Sequence, residues 1–283
     1  MGCQVPARIN YCDLSVRRVA EALGIELIDL QGAGCCGCYL RSIDFKAALI
    51  LSSRILALAE KSKMDLVVLC NSCFSTLVET NALLEEKPEL LEMVNEYLAS
   101  EGLEYRKGVR VKDALEVYYK DYGIEKIKPN VVERLEGLKA AAHYGCHILR
   151  PSRKTKFDNP EAPHILDDLV EVTGAESVYW SLKLWCCGFP TMAVERDMGL
   201  MLARNKLRDA VNSGAQCIVT TCPSCQITFD LLQPTVEKMY NESYGLPVLY
   251  CSQLLGLALG LKAEDVGLSL NRVPTKHILN LLK

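Results

Sequence analysis

No run in this chain is long and apolar enough to span a bilayer. "LGLALGL" at 255–261 is too short, and "AALILSSRILALA" at 47–59 is interrupted by Arg54. The opening "MGCQVPARINYCDLSV" lacks the apolar core of a secretory signal, and Pro6 stands where N-myristoylation needs Ser or Thr. These absences place the protein in the cytoplasm, with reduced thiols and no transmembrane segment; peripheral membrane contact through a partner stays open. No basic tract with interleaved aromatics occurs, and 32 Lys and Arg stand against 35 Asp and Glu, so nucleic acid is not an expected partner. There is no G-x-G-x-x-G opening a βαβ unit and no P-loop, so the sequence offers no nucleotide-binding motif. The C-x-x-C-x-x-C-x-x-x-C-P run of cubane ferredoxins is also missing.

Cysteine, in contrast, is abundant: fourteen in 283 residues. A chain of this length buries a core without disulfide staples, so the thiols point to metal. They recur in order. Cys3 is followed by a helical "DLSVRRVAEALG", with Asp13 as the expected N-cap, Val16, Val19, Ala20 and Leu23 on one face, and Gly24 as the stop. A strand "IELIDL" leads to Cys35 and Cys36. A helix from about Asp44 to Lys61 and a strand "LVVL" then lead to Cys70 and Cys73. The second half repeats the series with Cys146, a helix over "HILDDLVEVTG", a strand near "ESVYW", Cys186 and Cys187, a helix over "RDMGLMLARNKLRDAVNSG", a strand "CIVTT", and Cys222 and Cys225. Each half closes with a strand and helix, "VRVKDALEVYY" and "PVLYCSQLLGLALG".

Thirty-one residues separate Cys3 from Cys35 and thirty-nine separate Cys146 from Cys186; thirty-three separate Cys36 from Cys70 and thirty-four separate Cys187 from Cys222. The expected fold is α/β, two pseudo-repeated domains with mostly parallel strands and ligands at the strand C-terminal ends. The expected domains are residues 1–136, with a helical excursion at about 84–104, and residues 137–283. A strand-like "LKAAAH" precedes Cys146 but has no counterpart before Cys3, so either the first strand is missing or the natural start lies upstream.

A CxxC at a helix N-terminus favours thiolates, and five converging thiolates in each half would repel one another without a cation. Iron is the metal that proteins hold with many thiolates in one assembly. A four-ligand zinc site leaves the doublet and the fifth cysteine unexplained, and a thioredoxin-like CxxC leaves both doublets idle. Cys12, Cys38, Cys217 and Cys251 fall outside the repeat and are expected as core or loop thiols.

The series Cys, CCG, CxxC, present twice, resembles the CCG-domain family, and "HYGCHILRP", "VVLCNSCF" and "CCGFP" resemble the B subunits of heterodisulfide reductases within it. The resemblance covers nearly the whole chain. It implies two noncubane [4Fe-4S] clusters facing a substrate cavity, one held by Cys3, Cys35, Cys36, Cys70 and Cys73, the other by Cys146, Cys186, Cys187, Cys222 and Cys225. The implied reaction is reductive cleavage of the coenzyme M–coenzyme B heterodisulfide, or a related disulfide, to two thiols. The implied electron donors are a C-subunit-like protein with cubane [4Fe-4S] clusters and an A-subunit-like flavoprotein. This sequence departs from the family in its start, in "CCGCYL" where Pro often follows the doublet, and in slightly short CCG-to-CxxC spacings.

An anionic disulfide calls for cations at its entrance, and Arg8, Arg41, Arg150 and Lys183 lie nearest the ligands in sequence; solvated surface charge is the competing reading for each. His143 and His147 flank Cys146 and are the candidate proton donors, with a structural hydrogen bond as the competing role. His164 and His277 need no function. A second reading keeps the clusters and makes the chain an electron-transfer or sulfur-handling component, as in thiol:fumarate reductases or sulfur-oxidising complexes. A third makes it a structural or docking subunit.

Overall fold

The computed structural model describes residues 4–281. Its strands are β1 (Leu66–Val68), β2 (Val111–Asp113), β3 (Lys139–His143), β4 (Glu176–Ser177), β5 (Cys217–Thr220) and β6 (Val248–Tyr250). Every pairing is parallel: β1 with β2 in one sheet, and β4-β3-β5-β6 in the other. Lys139 pairs with Glu176, Ala140 with Cys217, and Ile218 with Val248. The strand sequences explain this. "CIVT" is buried along its whole length, as a parallel strand covered on both faces should be, and the three alanines of β3 are buried in the same way.

The helices follow their end signals. Asp44 caps the helix Phe45–Lys61 by accepting the Ala47 N–H at 2.9 Å. Helix Tyr11–Ala22 buries Val16, Val19 and Ala20, and Gly24, at φ +69°, ends it. Asp13 is not its N-cap. Tyr11 and Cys12 are themselves buried, so the helix starts earlier, behind Asn10, and the Asp13 carboxylate in the first turn takes the Arg17 guanidinium at 2.8 Å. Residues 25–30, expected as a strand, form none. Strands are made by partners, and no described segment pairs with this one, whereas β4 in the second half has β3 beside it.

The two halves share their interior. Both hydrophobic clusters draw residues from each half, one joining Val16 and Leu69 to Val219 and Leu254, the other joining Leu56 and Leu77 to Ile218 and Phe229. Helix Tyr11–Ala22 packs against helix Cys251–Ala258, with the Ser15 and Ser252 hydroxyls 2.6 Å apart. Tyr11 donates to Asp230 at 2.9 Å. The Tyr250 hydroxyl bridges the halves, reaching the carbonyl oxygens of Leu69 at 2.5 Å and Thr221 at 3.0 Å, each just ahead of a CxxC.

Replacing Tyr250 by Phe leaves those buried carbonyls without this donor and should cost about 1–3 kcal/mol of unfolding free energy. Urea denaturation with an unchanged slope and a lower midpoint is the expected result; an unchanged midpoint would show that the bridge contributes nothing.

Candidate metal centre

The doublets are shaped by the glycines that follow them. Gly37 has φ +78° and Gly188 φ +89°, and their N–H groups donate to the sulfurs of Cys35 and Cys186, both at 3.4 Å. A Cβ on Gly37 would lie 2.9 Å from Ala48 Cα, and one on Gly188 2.3 Å from the carbonyl oxygen of Gly199. Both the backbone angle and the close approach to the next helix therefore demand glycine. The turn splits each pair: Cys35 is exposed and Cys186 half-buried, while Cys36 and Cys187 are buried. This is why the motif is CCG rather than a bare doublet.

Each CxxC sits where a strand becomes a helix. Cys70 and Cys222 are extended residues immediately before helices Asn71–Glu86 and Pro223–Gln226, so their thiols lie at helix N-termini. Gly145, at φ +72°, brings the approach to Cys146 close to both: a Cβ there would meet Asn71 Nδ2 at 2.8 Å and Cys225 Sγ at 3.6 Å. Asn71, from the first CxxC, donates to the carbonyl of Tyr144 at 2.6 Å and the hydroxyl of Thr221 at 3.1 Å.

The described motif thiols form one connected line. Each is near enough to shift its neighbour's ionisation, in the order Cys35, Cys36, Cys73 and Cys70, then Cys222 across the halves, then Cys225, Cys187, Cys186 and Cys146. A cavity of about 20 Å³ is walled by Cys35, Cys36, Cys38, Cys70 and Cys73, with Pro223 from the other half. The line cannot ionise uniformly. Cys36 is drawn down to about 7 chiefly by the Cys73 thiol, and Cys186 to about 2 by the thiols of Cys146 and Cys187. Cys222 is likewise held low by Cys225 and Cys70. Their neighbours move the opposite way: Cys187 is pushed up to about 12 by Cys186, and Cys70, Cys73, Cys146 and Cys225 also rise, because each second thiolate would face the first. A bound cation would remove that conflict. Among the described residues, no group of three or more His, Cys, Asp or Glu is arranged to hold a metal ion.

Around the second set lie two basic residues. His143 is buried, with Nδ1 3.2 Å from the Lys183 carbonyl and Nε2 3.2 Å from Cys225 Sγ. Burial, and then the nearby Lys206, depress its pKa well below the usual value. A carbonyl only accepts, so Nδ1 carries the hydrogen and Nε2 accepts from the Cys225 thiol. Lys206 is buried, donates to the carbonyls of Leu182 and of Trp185 (3.1 Å), and lies over the Trp180 ring at 4.4 Å. Burial lowers its pKa to about 8. It had a sequence signal: a lysine on the helical face that carries Ala203, Leu207 and Ala210.

The other expected residues are placed as follows. Cys3 lies outside the described residues. His147 is half-buried, with Nδ1 2.9 Å from the Ser75 hydroxyl. Arg41 is paired with Glu79 at 2.8 Å, and Lys183 holds both oxygens of Asp167 at 2.6 Å. Arg150 donates to the carbonyls of Leu184 at 3.3 Å and Pro160 at 3.2 Å, and Arg8 is exposed at the end of helix Gln4–Arg8. Cys12, Cys217 and Cys251 are buried, while Cys38, expected as an ordinary thiol, borders the first cavity.

A family profile described as the cysteine-rich domain CCG matches residues 1–78 and 140–230, the two stretches that carry this geometry. The chain belongs to that family. Its relatives include the B subunit of the ferredoxin/F(420)H(2)-dependent CoB-CoM heterodisulfide reductase of Methanosarcina acetivorans, 36% identical over 96% of this chain and 92% of that protein. The B subunit of the ferredoxin:CoB-CoM heterodisulfide reductase of Methanosarcina mazei is 36% identical with the same coverage. The membrane anchor subunit of the 8-methylmenaquinol:fumarate reductase of Wolinella succinogenes is 32% identical over 95% of this chain and 94% of its own. A crystal structure of a hypothetical protein from Helicobacter pylori superposes with a TM-score of 0.75 at 18% identity, covering 94% of this chain and 49% of that one. It shares the fold. The CCG family and the heterodisulfide reductase relatives together point to iron–sulfur chemistry.

The CCG glycine is testable against an internal control. Gly214 has φ +82° but open space around its Cα, so Gly214→Ala should cost only the backbone strain, about 1 kcal/mol. Gly188→Ala adds the clash with Gly199 and should cost clearly more, with loss of iron from the purified protein. Equal unfolding midpoints for the two variants would refute the packing role of the CCG turn.

Proposed function

We propose that this chain is the catalytic subunit of a disulfide-reducing oxidoreductase complex, holding two noncubane [4Fe-4S] clusters. Cys3, Cys35, Cys36, Cys70 and Cys73 would hold one, and Cys146, Cys186, Cys187, Cys222 and Cys225 the other. The observation that carries the reading is that the two motif sets meet: Asn71 of the first CxxC donates to the Tyr144 carbonyl and the Thr221 hydroxyl, and Pro223 of the second CxxC walls the first cysteine cavity. When bound, the clusters would supply electrons one at a time to both sulfurs of a disulfide, with coenzyme M–coenzyme B or a related disulfide as the substrate class. The chain's own residues do the rest. The CCG turns and helix N-termini present the thiolates, and His143 positions Cys225 from within the core.

Protons are assigned to His147 in preference to His143, whose two ring nitrogens are both engaged. Among the described residues Arg8 and Arg150 have no carboxylate partner, unlike Arg41 and Lys183, so they are the better placed to receive an anionic substrate. With no nucleotide motif in the chain, electrons would arrive through a C-subunit-like protein with cubane clusters and an A-subunit-like flavoprotein. No helix among the described residues is long and apolar enough to cross a membrane, and we place the complex in the cytoplasm.

The Wolinella relative, named as a membrane anchor subunit of a fumarate reductase, supports a second reading, in which the chain is an electron-transfer or docking component of another redox complex. Turnover decides between them. Purified without oxygen, the protein should contain about eight iron, two clusters of four, and oxidation with a thiol present should give a thiol-dependent paramagnetic signal. Cys187→Ser should lose about half the iron. One or two zinc per chain would defeat the cluster assignment. Iron that responds to no thiol, with no dye-driven disulfide reduction, would leave the second reading.

A further inference from the structure

The strap that leads into the second CCG turn, residues 182–185, has every one of its carbonyls held by a side chain. Lys206 donates to the carbonyls of Leu182 and of Trp185 (3.1 Å), His143 Nδ1 to that of Lys183 at 3.2 Å, and Arg150 to that of Leu184 at 3.3 Å. The Leu182 N–H is taken as well, donating to Asp209 Oδ2 at 2.7 Å. Lys206 and Asp209 are an i, i+3 pair on helix Arg196–Asn212 and so share a face. That helix follows the CCG turn, so the strap is fastened to the element downstream of the cysteines it carries. His143 and Arg150 come from either side of Cys146, and His143 Nε2 also lies 3.2 Å from Cys225 Sγ. Side chains alone therefore tie together the segments that bear Cys146, Cys186, Cys187 and Cys225.

The first half lacks this fastening. Aligning Cys35 on Cys186 sets residues 31–34, Gln-Gly-Ala-Gly, on the strap, and all of them are exposed. The same alignment sets Ile55 on Lys206 and Leu58 on Asp209, and neither can hold a carbonyl or an N–H. Among the described residues, a single side chain reaches the carbonyls of this segment, Arg54 donating to that of Gly32 at 2.6 Å. The two glycines add backbone freedom that is lost whenever the segment is fixed.

We infer that Lys206 is a positioning residue: with Asp209, His143 and Arg150 it fixes the strap 182–185 in the metal-free protein, so that the second thiol set stands ready and is filled ahead of the first. A site whose ligands are already in place gives up less conformational freedom on binding than one that the metal must order. The fixed strap stands by itself, while the order of filling rests on the two-cluster reading.

Hydrogen exchange on the metal-free, full-length protein tests the strap. The Leu182 and Trp185 amides should exchange about tenfold or more slowly than the matched Gln31 and Gly34 amides, and Lys206→Met should remove most of that difference with the β5 amides unchanged. Equal exchange at the two straps in the unsubstituted protein would overturn the fixed strap. Faster exchange throughout Lys206→Met, β5 included, would make Lys206 a general stabiliser and overturn its positioning role. Uptake of iron and sulfide without oxygen tests the order. Cys36→Ser, which leaves the second set intact, should fill several-fold faster than Cys187→Ser, which leaves the first, and adding Lys206→Met to Cys36→Ser should abolish that lead. Equal uptake by the two single-set variants would overturn the order of filling. No iron in either would overturn the cluster reading instead, with hydrogen exchange still deciding the strap.

Discussion

Thiolates packed side by side repel, and most of this architecture can be understood as a way of bringing them together regardless. Each thiol is delivered from a position where the backbone itself offers compensation: a helix N-terminus for Cys70 and Cys222, a glycine N–H for Cys35 and Cys186. The compensation is partial, as the split between lowered and raised thiols shows. What the protein builds is an electrostatic deficit that a multi-iron group would satisfy.

Holding the two thiol sets in register explains why the halves are not packed as independent beads. Tyr250 ties the carbonyls of Leu69 and Thr221, and Asn71 ties the first CxxC to Tyr144 and Thr221. These bonds sit directly behind the cysteines and are buried, so a shift of one half against the other would leave several polar groups unpaired at once. The Ser15–Ser252 contact and the helix pair around it extend the lock outward. Geometry at the sulfurs is thus fixed by hydrogen bonds between backbone carbonyls and side chains of opposite halves.

The cysteine series, the helix after Asp44, the strand before Cys70 and the α/β alternation were legible in the sequence because each rests on a local or periodic signal. Residues 25–30 were not, because an apolar alternating run specifies strand tendency and says nothing of whether a partner is present. Asp13 misled because Ser, Asp and Asn mark helix starts only where the apolar face begins after them, and here Tyr11 and Cys12 already belong to that face. Cys38 was read as a core or loop thiol, and its place beside the first cavity depends on a turn, set by Gly37, that no spacing rule encodes. The meeting of Asn71 with Tyr144 and Thr221 is a tertiary fact, with no trace along the chain.

The repeat also defines where the two centres must differ. Helices Phe45–Lys61 and Arg196–Asn212 are both seventeen residues long and align without a gap, so that Lys206 stands where the first half has Ile55. A buried ammonium therefore lies near Cys186, Cys187 and Cys225, and an isoleucine side chain holds the equivalent place behind the first set. His143, at the end of β3, accepts a hydrogen bond from the Cys225 thiol, and no described residue does the same in that position for Cys73. Local positive charge favours the thiolate form of a nearby sulfur. Two motif sets that are equivalent in sequence are thus inequivalent in environment, and the asymmetry is built from one helical position and one strand end.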